Sequence, residues 1–517
     1  MAAVAPDEEF IEHTTTLALE EKSKLVKSLR RFDMIFFTVC AFVGLDTLGS
    51  VAQNGPQGFL WLVVLALLFV GPYMLLTAEV GAAFTQEGGP YEWVKLAFGR
   101  LHGGIFAILY WITNPLWVGG SLAFTATAAW NRNISGIGNA TWGDFAFKLV
   151  FIWISIGVAI ISLRRGKQIP NLGAVLRAVV LGFFSLTVII YGVKHGAAGF
   201  QWGQTSPTRA VFFALVPLLL FNYVGFELQN GAAEEMENPQ KDVPKSILRS
   251  GVTGVLMYVI PIFAILVVLP ASQVTSIGGF IDAISITFQG VYGGAAHVLL
   301  ILMTLGFIFA LMTSGAVWMM GSDRIQAVAA YDGAFFPYFG VFNRKLGTPV
   351  RVNVMSGIAS TVFCVAAIEL LKHQSTASAF TVVLDIAIST TLLSYLWVFP
   401  AVLKLRYSHG HVYRPYRHPW GKTGIWASTI LVTFWILLGS WVAVFPDTLE
   451  RVFGVGYGFR GSWGVGQSEF EFLTLGTLAV VLAFALIGYW SGRGVRSQTA
   501  TIELPTDTLT AGGTVGV

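Results

Sequence analysis

The stretch Leu215–Ser246, LVPLLLFNYVGFELQNGAAEEMENPQKDVPKS, decides how the rest of the chain is read. It begins as an apolar membrane helix. Around Tyr223-Val224-Gly225-Phe226-Glu227 it sets a glycine and an acid where an apolar span would continue. It then leaves the membrane through Asn238-Pro239 and Val243-Pro244-Lys245-Ser246. An ionisable side chain at membrane depth is costly and marks a functional site by default. A helix that breaks beside it frees backbone groups, which must line a cavity rather than face lipid. Interrupted helices of this kind enclose a binding site near the bilayer midplane.

The first apolar run has the same anomaly. It reads FDMIFFTVCAFVGLDTLGSVAQNGPQG from Phe32, with Gly44, Asp46, Thr47 and Gly49 in mid-membrane. Two interrupted spans in corresponding positions, five spans apart, predict an inverted repeat of spans 1–5 and 6–10. Half-helices offer free N–H groups at positive dipole ends, which suit a carboxylate, and free C=O groups, which suit an ammonium. A zwitterionic amino acid presents both. The candidate substrate contacts are therefore Val43, Gly44, Leu45, Asp46 and Thr47 at one break. At the other they are Tyr223, Val224, Gly225, Phe226 and Glu227.

Composition sets the frame. The 517 residues are 55% hydrophobic and only 12% charged, against roughly 25% charged in a soluble domain. This is an all-α integral membrane chain. We count twelve spans, at 32–53, 59–84, 104–130, 144–163, 170–193, 210–231, 250–270, 296–320, 350–371, 378–403, 423–445 and 470–490. Each is near the ~20 residues that a membrane helix needs. The organisation is a tail over 1–31, a first five-helix repeat over 32–193, a second, inverted repeat over 210–403 and two further helices over 423–490. A Thr/Gly/Ser-rich tail expected to be disordered covers 491–517. The N-terminus opens polar and acidic and reads as uncleaved. The two cysteines, Cys40 and Cys364, lie in apolar runs and read as buried thiols.

With the N-terminus placed inside, 24 of the 32 Lys and Arg fall on inner segments and 7 on outer ones; Arg177 alone falls within a span. That bias follows the positive-inside rule. It predicts both termini in the cytoplasm of a cell whose cytoplasmic (inner) membrane holds the chain. The net charge of +4 gives no sign of nucleic acid. No cofactor fingerprint, metal-ligand spacing or nucleophile cluster is present of the kind an enzyme would need, and no ring of like residues suggests a channel, so a channel or membrane enzyme stays a distant alternative to a carrier. The apolar segment from Gly278 to Gly294 is expected to form a re-entrant outer lid.

Four stretches carry a family resemblance. One is Ala78-Glu79-Val80-Gly81 with Glu87-Gly88-Gly89-Pro90-Tyr91-Glu92-Trp93 and Ala97-Phe98-Gly99. Another is the sixth-span passage with Glu234-Glu235, Asn238-Pro239 and Val243-Pro244. A third is Trp318-Met319-Met320-Gly321-Ser322-Asp323-Arg324 with Asp332-Gly333 and Pro337. The fourth is Gly347-Thr348-Pro349-Val350. Over roughly residues 28–450 the chain resembles the amino acid–polyamine–organocation transporters, and the third stretch leans towards the bacterial glutamate/GABA-antiporter branch. The resemblance implies a LeuT-type fold and a secondary active carrier of amino acids working by alternating access. Sodium independence, with proton symport or substrate exchange, is also implied, as are protons and the lipid bilayer as partners. Polyamines or monoamines are the alternative cargo. It further implies that Glu227 is a proton sensor or gate and that Arg177 stands in for a sodium ion. Asn114 and Trp117 of span three and Trp318 of span eight would line the cavity.

Asp46 departs from the family pattern. An acid beside a bound carboxylate repels it by a few kcal/mol at an effective dielectric near 20. Four outcomes are open: Asp46 points away, is protonated by burial, pairs with Arg177, or meets a substrate with an extra amine or no carboxylate. Glu234, Glu235, Glu237, Lys241, Asp242 and Lys245 are expected to be solvated contacts at the inner gate. Glu79 is expected to be an interhelical hydrogen-bond partner.

Overall fold

The computed structural model describes residues 11–161, 168–196, 200–269, 274, 279–371, 376–456, 458–463 and 465–503. Ten of its helices are long and apolar enough to cross a membrane. The two remaining spans are the interrupted ones. The first divides into Arg31–Phe42 and Leu48–Ala52, and the sixth into Arg209–Asn222 and a 3-10 segment Leu228–Glu235. Among the described residues this gives ten continuous helices long and apolar enough to cross a membrane and two broken ones.

Local chemistry explains the breaks. Gly225 holds φ near 119°, which an L side chain rarely adopts, and a Cβ there would lie 2.8 Å from the Trp318 ring. In the first span the helix stops at Val43, whose ψ of 89° turns the chain out before Asp46 and Thr47. The third span carries Pro115 and then widens into a π-turn at Val118–Leu122, the adjustment expected where proline removes a backbone donor. That widened turn lets Gly119 approach the Ser360 carbonyl so closely that a Cβ would sit 2.2 Å from it.

The packing places the breaks at the centre. The seventh span, Pro239–Val268, lies against the first and second; the eighth, Ala296–Tyr331, against the third, fourth and fifth; the tenth, Thr376–Ser408, against the third and eleventh. The third span's apolar window is 89% buried and the twelfth's 28%, so the third is a core strut and the twelfth a peripheral one. Outward-facing Leu67, Ile154, Val179, Leu302, Phe434 and Phe472 give the bundle its apolar coat.

Three features differ from expectation. The seventh span starts at Pro239 rather than near 250, so Val243-Pro244-Lys245-Ser246 is helix and not exit loop. The eighth runs on to Tyr331 because Ser322, Asp323, Arg324 and Gln326 stay buried in the protein. The tail from 491 is ordered as far as Glu503: a single turn Arg493–Arg496 leads to a strand, Thr499–Glu503, antiparallel to Ile11–Thr15. Residues 504–517 lie outside the described residues. The expected lid is a helix, Gly279–Tyr292, packed on Leu48–Ala52 and the fifth and eighth spans; Gly278 lies outside the described residues.

Candidate functional site

The two breaks face each other across a closed cavity with an empty volume of about 360 Å3. Phe42, Gly44, Asp46 and Thr47 come to it from the first break, and Phe221, Asn222 and Val224 from the sixth. Thr113, Asn114 and Trp117 arrive from the third span, Tyr258 from the seventh, Trp318 from the eighth and Thr391 from the tenth. Five of these side chains are aromatic. Among the described residues the one charged side chain in the lining is Asp46.

The backbone groups freed by the first break are held by side chains. Ser314 Oγ donates to Cys40 O at 3.1 Å, Trp318 Nε1 to Ala41 O at 2.8 Å and Tyr258 Oη to Phe42 O at 2.9 Å. Tyr258 Oη also accepts the Gly44 N–H at 2.7 Å. The amide expected to meet a carboxylate is therefore engaged by a phenol. At the sixth break, the Gly225 N–H donates to Tyr73 Oη at 3.1 Å.

Asp46 is 1% exposed. Its Oδ2 accepts Trp117 Nε1 at 2.7 Å and Ser121 Oγ at 2.5 Å, while Oδ1 has no hydrogen-bond partner. Among the described residues Asp46 makes no ion pair with Arg177, so that expected outcome is not realised. Arg177 donates through Nη2 to Ala310 O at 2.7 Å and to Ser314 Oγ. Its Nε and Nη1 are unpartnered. Through Ser314 the guanidinium supports the Cys40 carbonyl behind the first break, and it does not line the cavity.

The other sequence-level candidates divide. Gly44, Asp46, Thr47, Asn114, Val224 and Trp318 line the cavity, as does Trp117. Asn114 also donates to Tyr110 O, the helical carbonyl four residues back, at 3.2 Å. Val43, Leu45, Tyr223, Gly225, Phe226 and Glu227 lie outside the lining. Val43 is spent on the last helical bond to Val39 O, and the Tyr223 hydroxyl donates to Leu62 O at 2.8 Å. Phe226 packs 4.5 Å from Phe42, centroid to centroid. Glu227 is fully buried and accepts three phenols: Tyr110 at 2.6 Å and Tyr395 at 2.5 Å on Oε1, and Tyr73 on Oε2. The sequence reading missed these tyrosines and Tyr258. Their signal was present, since a phenol in an apolar span must find a polar partner, but which partner depends on packing between distant spans.

At the end of the bundle near the termini, Glu235 is buried rather than solvated, in an ion pair with Arg324, which also reaches Glu87 at 3.4 Å. Asp242 pairs with Arg31 at 2.5 Å and Glu237 with Arg30 at 3.1 Å. Glu79 takes Arg406 at 2.9 Å and the His418 N–H at 2.7 Å, which makes it an interhelical partner.

Two broken helices around a closed central cavity, held in a bundle of continuous spans, define a secondary carrier. Residues 29–456 match the family model described as "Amino acid permease", and the chain belongs to that family. It is a multi-pass membrane transporter and not an enzyme. The chain is 28% identical over 388 residues to the probable agmatine/putrescine antiporter AguD of Lactococcus lactis, covering 75% of this chain and 81% of that protein. It is 24% identical over 392 residues to the branched-chain amino acid permease BcaP of Bacillus subtilis, covering 70% and 80%. A crystal structure of the Eremococcus coleocola manganese transporter superposes with a TM-score of 0.59 at 13% identity, covering 95% of this chain and all of that one; this likeness concerns fold alone.

Proposed function

We propose that the chain is a sodium-independent exchanger of amino compounds whose ammonium group is read by Asp46, with mono- and diamines as the preferred cargo. One observation carries the reading: among the described residues the sole charged side chain lining the cavity is a carboxylate with an oxygen that has no hydrogen-bond partner. The aromatic walls add to it, because Phe42, Trp117, Phe221, Tyr258 and Trp318 offer π-faces to a cation and apolar contact to its chain. The engaged Gly44 amide removes the expected partner for a carboxylate. The diamine-exchanging name of the Lactococcus relative points the same way.

A second reading rests on Asn222, whose Nδ2 lines the cavity without a hydrogen-bond partner. A zwitterionic amino acid would place its ammonium on Asp46 and its carboxylate on this amide. The amide is neutral, so it is the weaker of the two anchors.

Glu227 is the proton-linked element of this scheme and Arg177 the fixed cation beside the first break. The 24-to-7 distribution of Lys and Arg supports an orientation with both termini cytoplasmic; the cytoplasmic (inner) membrane is the location proposed with it. The test is equilibrium binding of putrescine, lysine, glutamine and glutamate to wild type and Asp46→Asn. Losing a buried counter-ion costs ~2–5 kcal/mol, so putrescine affinity should fall roughly thirtyfold or more. If glutamate and glutamine bind tightest and Asp46→Asn leaves putrescine unchanged, Asp46 does not read the cargo. Asn222→Leu separates the two readings, since it weakens an amino acid selectively over its decarboxylated amine only under the second.

A further inference from the structure

A second cavity, with an empty volume of about 1340 Å3, lies beyond the central one on the side away from the paired termini. Ser50, Gln53 and Asn54 of the first span's short half-helix wall it on one side, and Ala210–Leu218 of the sixth span's outer half on another. The tenth span brings Asp385, and the short helix Thr448–Val452 after span eleven brings Glu450. Asp385 is six residues before Thr391 of the central cavity, a rise of about 9 Å along a helix. The two cavities are thus stacked, with the same half-helices between them.

The chemistry of this chamber is acidic and unpaired. Asp385 is 5% exposed and Glu450 1%, and Asp385 Oδ2 and Glu450 Oε2 both lack a hydrogen-bond partner. Among the described residues no lysine, arginine or histidine lines the cavity. Of the arginines nearby, Arg209 donates to Phe453 O at 2.7 Å and Arg451 holds Asp447 and Gln467, the latter at 3.1 Å, while Arg460, on the short helix Phe459–Trp463, is exposed. Two buried carboxyl groups kept from solvent without counter-ions are costly unless a cation visits them. The remaining walls are apolar, from Pro217, Leu218, Phe380, Val442, Pro446 and Trp463. That largely apolar lining around two carboxyl groups is more than a bare inorganic ion needs and fits an ammonium group on a hydrocarbon body.

We propose that this chamber is a second binding site, for an organic ammonium ion, which holds cargo above the closed central cavity and is anchored by Asp385 and Glu450. The assignment stands on these two carboxyl groups and does not depend on Asp46.

The test places a thiol in the chamber by Ser50→Cys in the otherwise unchanged protein in proteoliposomes, with the parent chain as blank because Cys40 and Cys364 are buried. Its reaction rate is measured with cationic trimethylammonioethyl and anionic sulfonatoethyl methanethiosulfonates, relative to free cysteine. Local negative charge should favour the cationic reagent by about tenfold over that reference, and Asp385→Asn/Glu450→Gln should abolish the preference. Those substitutions remove unpaired buried acids, so folding is not at risk from a lost ion pair. Putrescine or butylamine, but not butyrate, should slow the labelling, and should do so equally in an Asp46→Asn background. A charge-blind rate overturns the proposal, as does protection that vanishes with Asp46→Asn. Protection by calcium alone overturns the organic assignment. A failed Asp46 reading with intact protection here would leave this second site standing.

Discussion

Glu227 accepts three phenolic hydroxyls, and its protonation state decides how many it can serve. As a carboxylate it has lone pairs for all three. Once protonated, one oxygen becomes a donor, and a bond to the second, third or tenth span weakens. The hydroxyls belong to three different spans, so under the proposed proton-linked role proton uptake would loosen the grip of the sixth-span break on its neighbours. Glu227→Gln keeps the shape and removes the titration. Exchange rates of this variant should be flat across the pH range over which wild type varies, read as putrescine counterflow in proteoliposomes; an unchanged profile would make Glu227 structural. Gly225 presents a steric case. Gly225→Ala forces a Cβ to 2.8 Å from Trp318 at a φ that alanine resists, a strain of roughly 1–3 kcal/mol. Its apparent Tm should drop and its transport fail, which thermal unfolding and uptake would register together.

At the scale of elements, the first break is stabilised from outside itself. Tyr258 of the seventh span closes a ring of two hydrogen bonds on Phe42 O and the Gly44 N–H. Tyr258→Phe leaves both groups buried without a partner, at a cost of about 1–3 kcal/mol for each unsatisfied group. We expect a lower Tm together with a gain in carboxylate-bearing ligands, because the Gly44 amide becomes free to bind them; ligand-induced thermal shifts with glutamine against putrescine measure both. The apolar runs made the ten continuous spans legible, and Gly44 and Gly225 with their adjacent acids made the two breaks legible. The ends of the seventh and eighth spans were not. Asp323 accepts bonds from Trp111, Ser356 and Asn353, and Arg324 finds Glu87 and Glu235. Those partners lie far away in sequence, so a polar run that looked like a membrane exit is protein interior. The same reason hid the fate of Asp46: Trp117 was legible as a cavity aromatic, but its bond to that acid was not.

For the whole molecule, Arg177 places a fixed charge beside the first break, where it braces Ser314 and through it the Cys40 carbonyl. Putrescine uptake should therefore be the same in sodium, potassium or choline media, and Arg177→Ala should abolish it while membrane expression persists; a steep sodium requirement would end this account. The bare oxygen of Asp46 has a consequence for the transport cycle itself. A carrier must turn back after delivering its load. On the proposed reading, an ammonium bound at Asp46 would leave the site close to neutral and the loaded form free to turn. Empty, the same site drags an incompletely satisfied carboxylate through a dry enclosure, which adds several kcal/mol to the barrier. On that reading the return stroke would stall until another cation rides home. Labelled amine trapped in vesicles should leave quickly only when unlabelled amine waits outside, and in Asp46→Asn that dependence on a returning passenger should fade as the empty form learns to reset by itself.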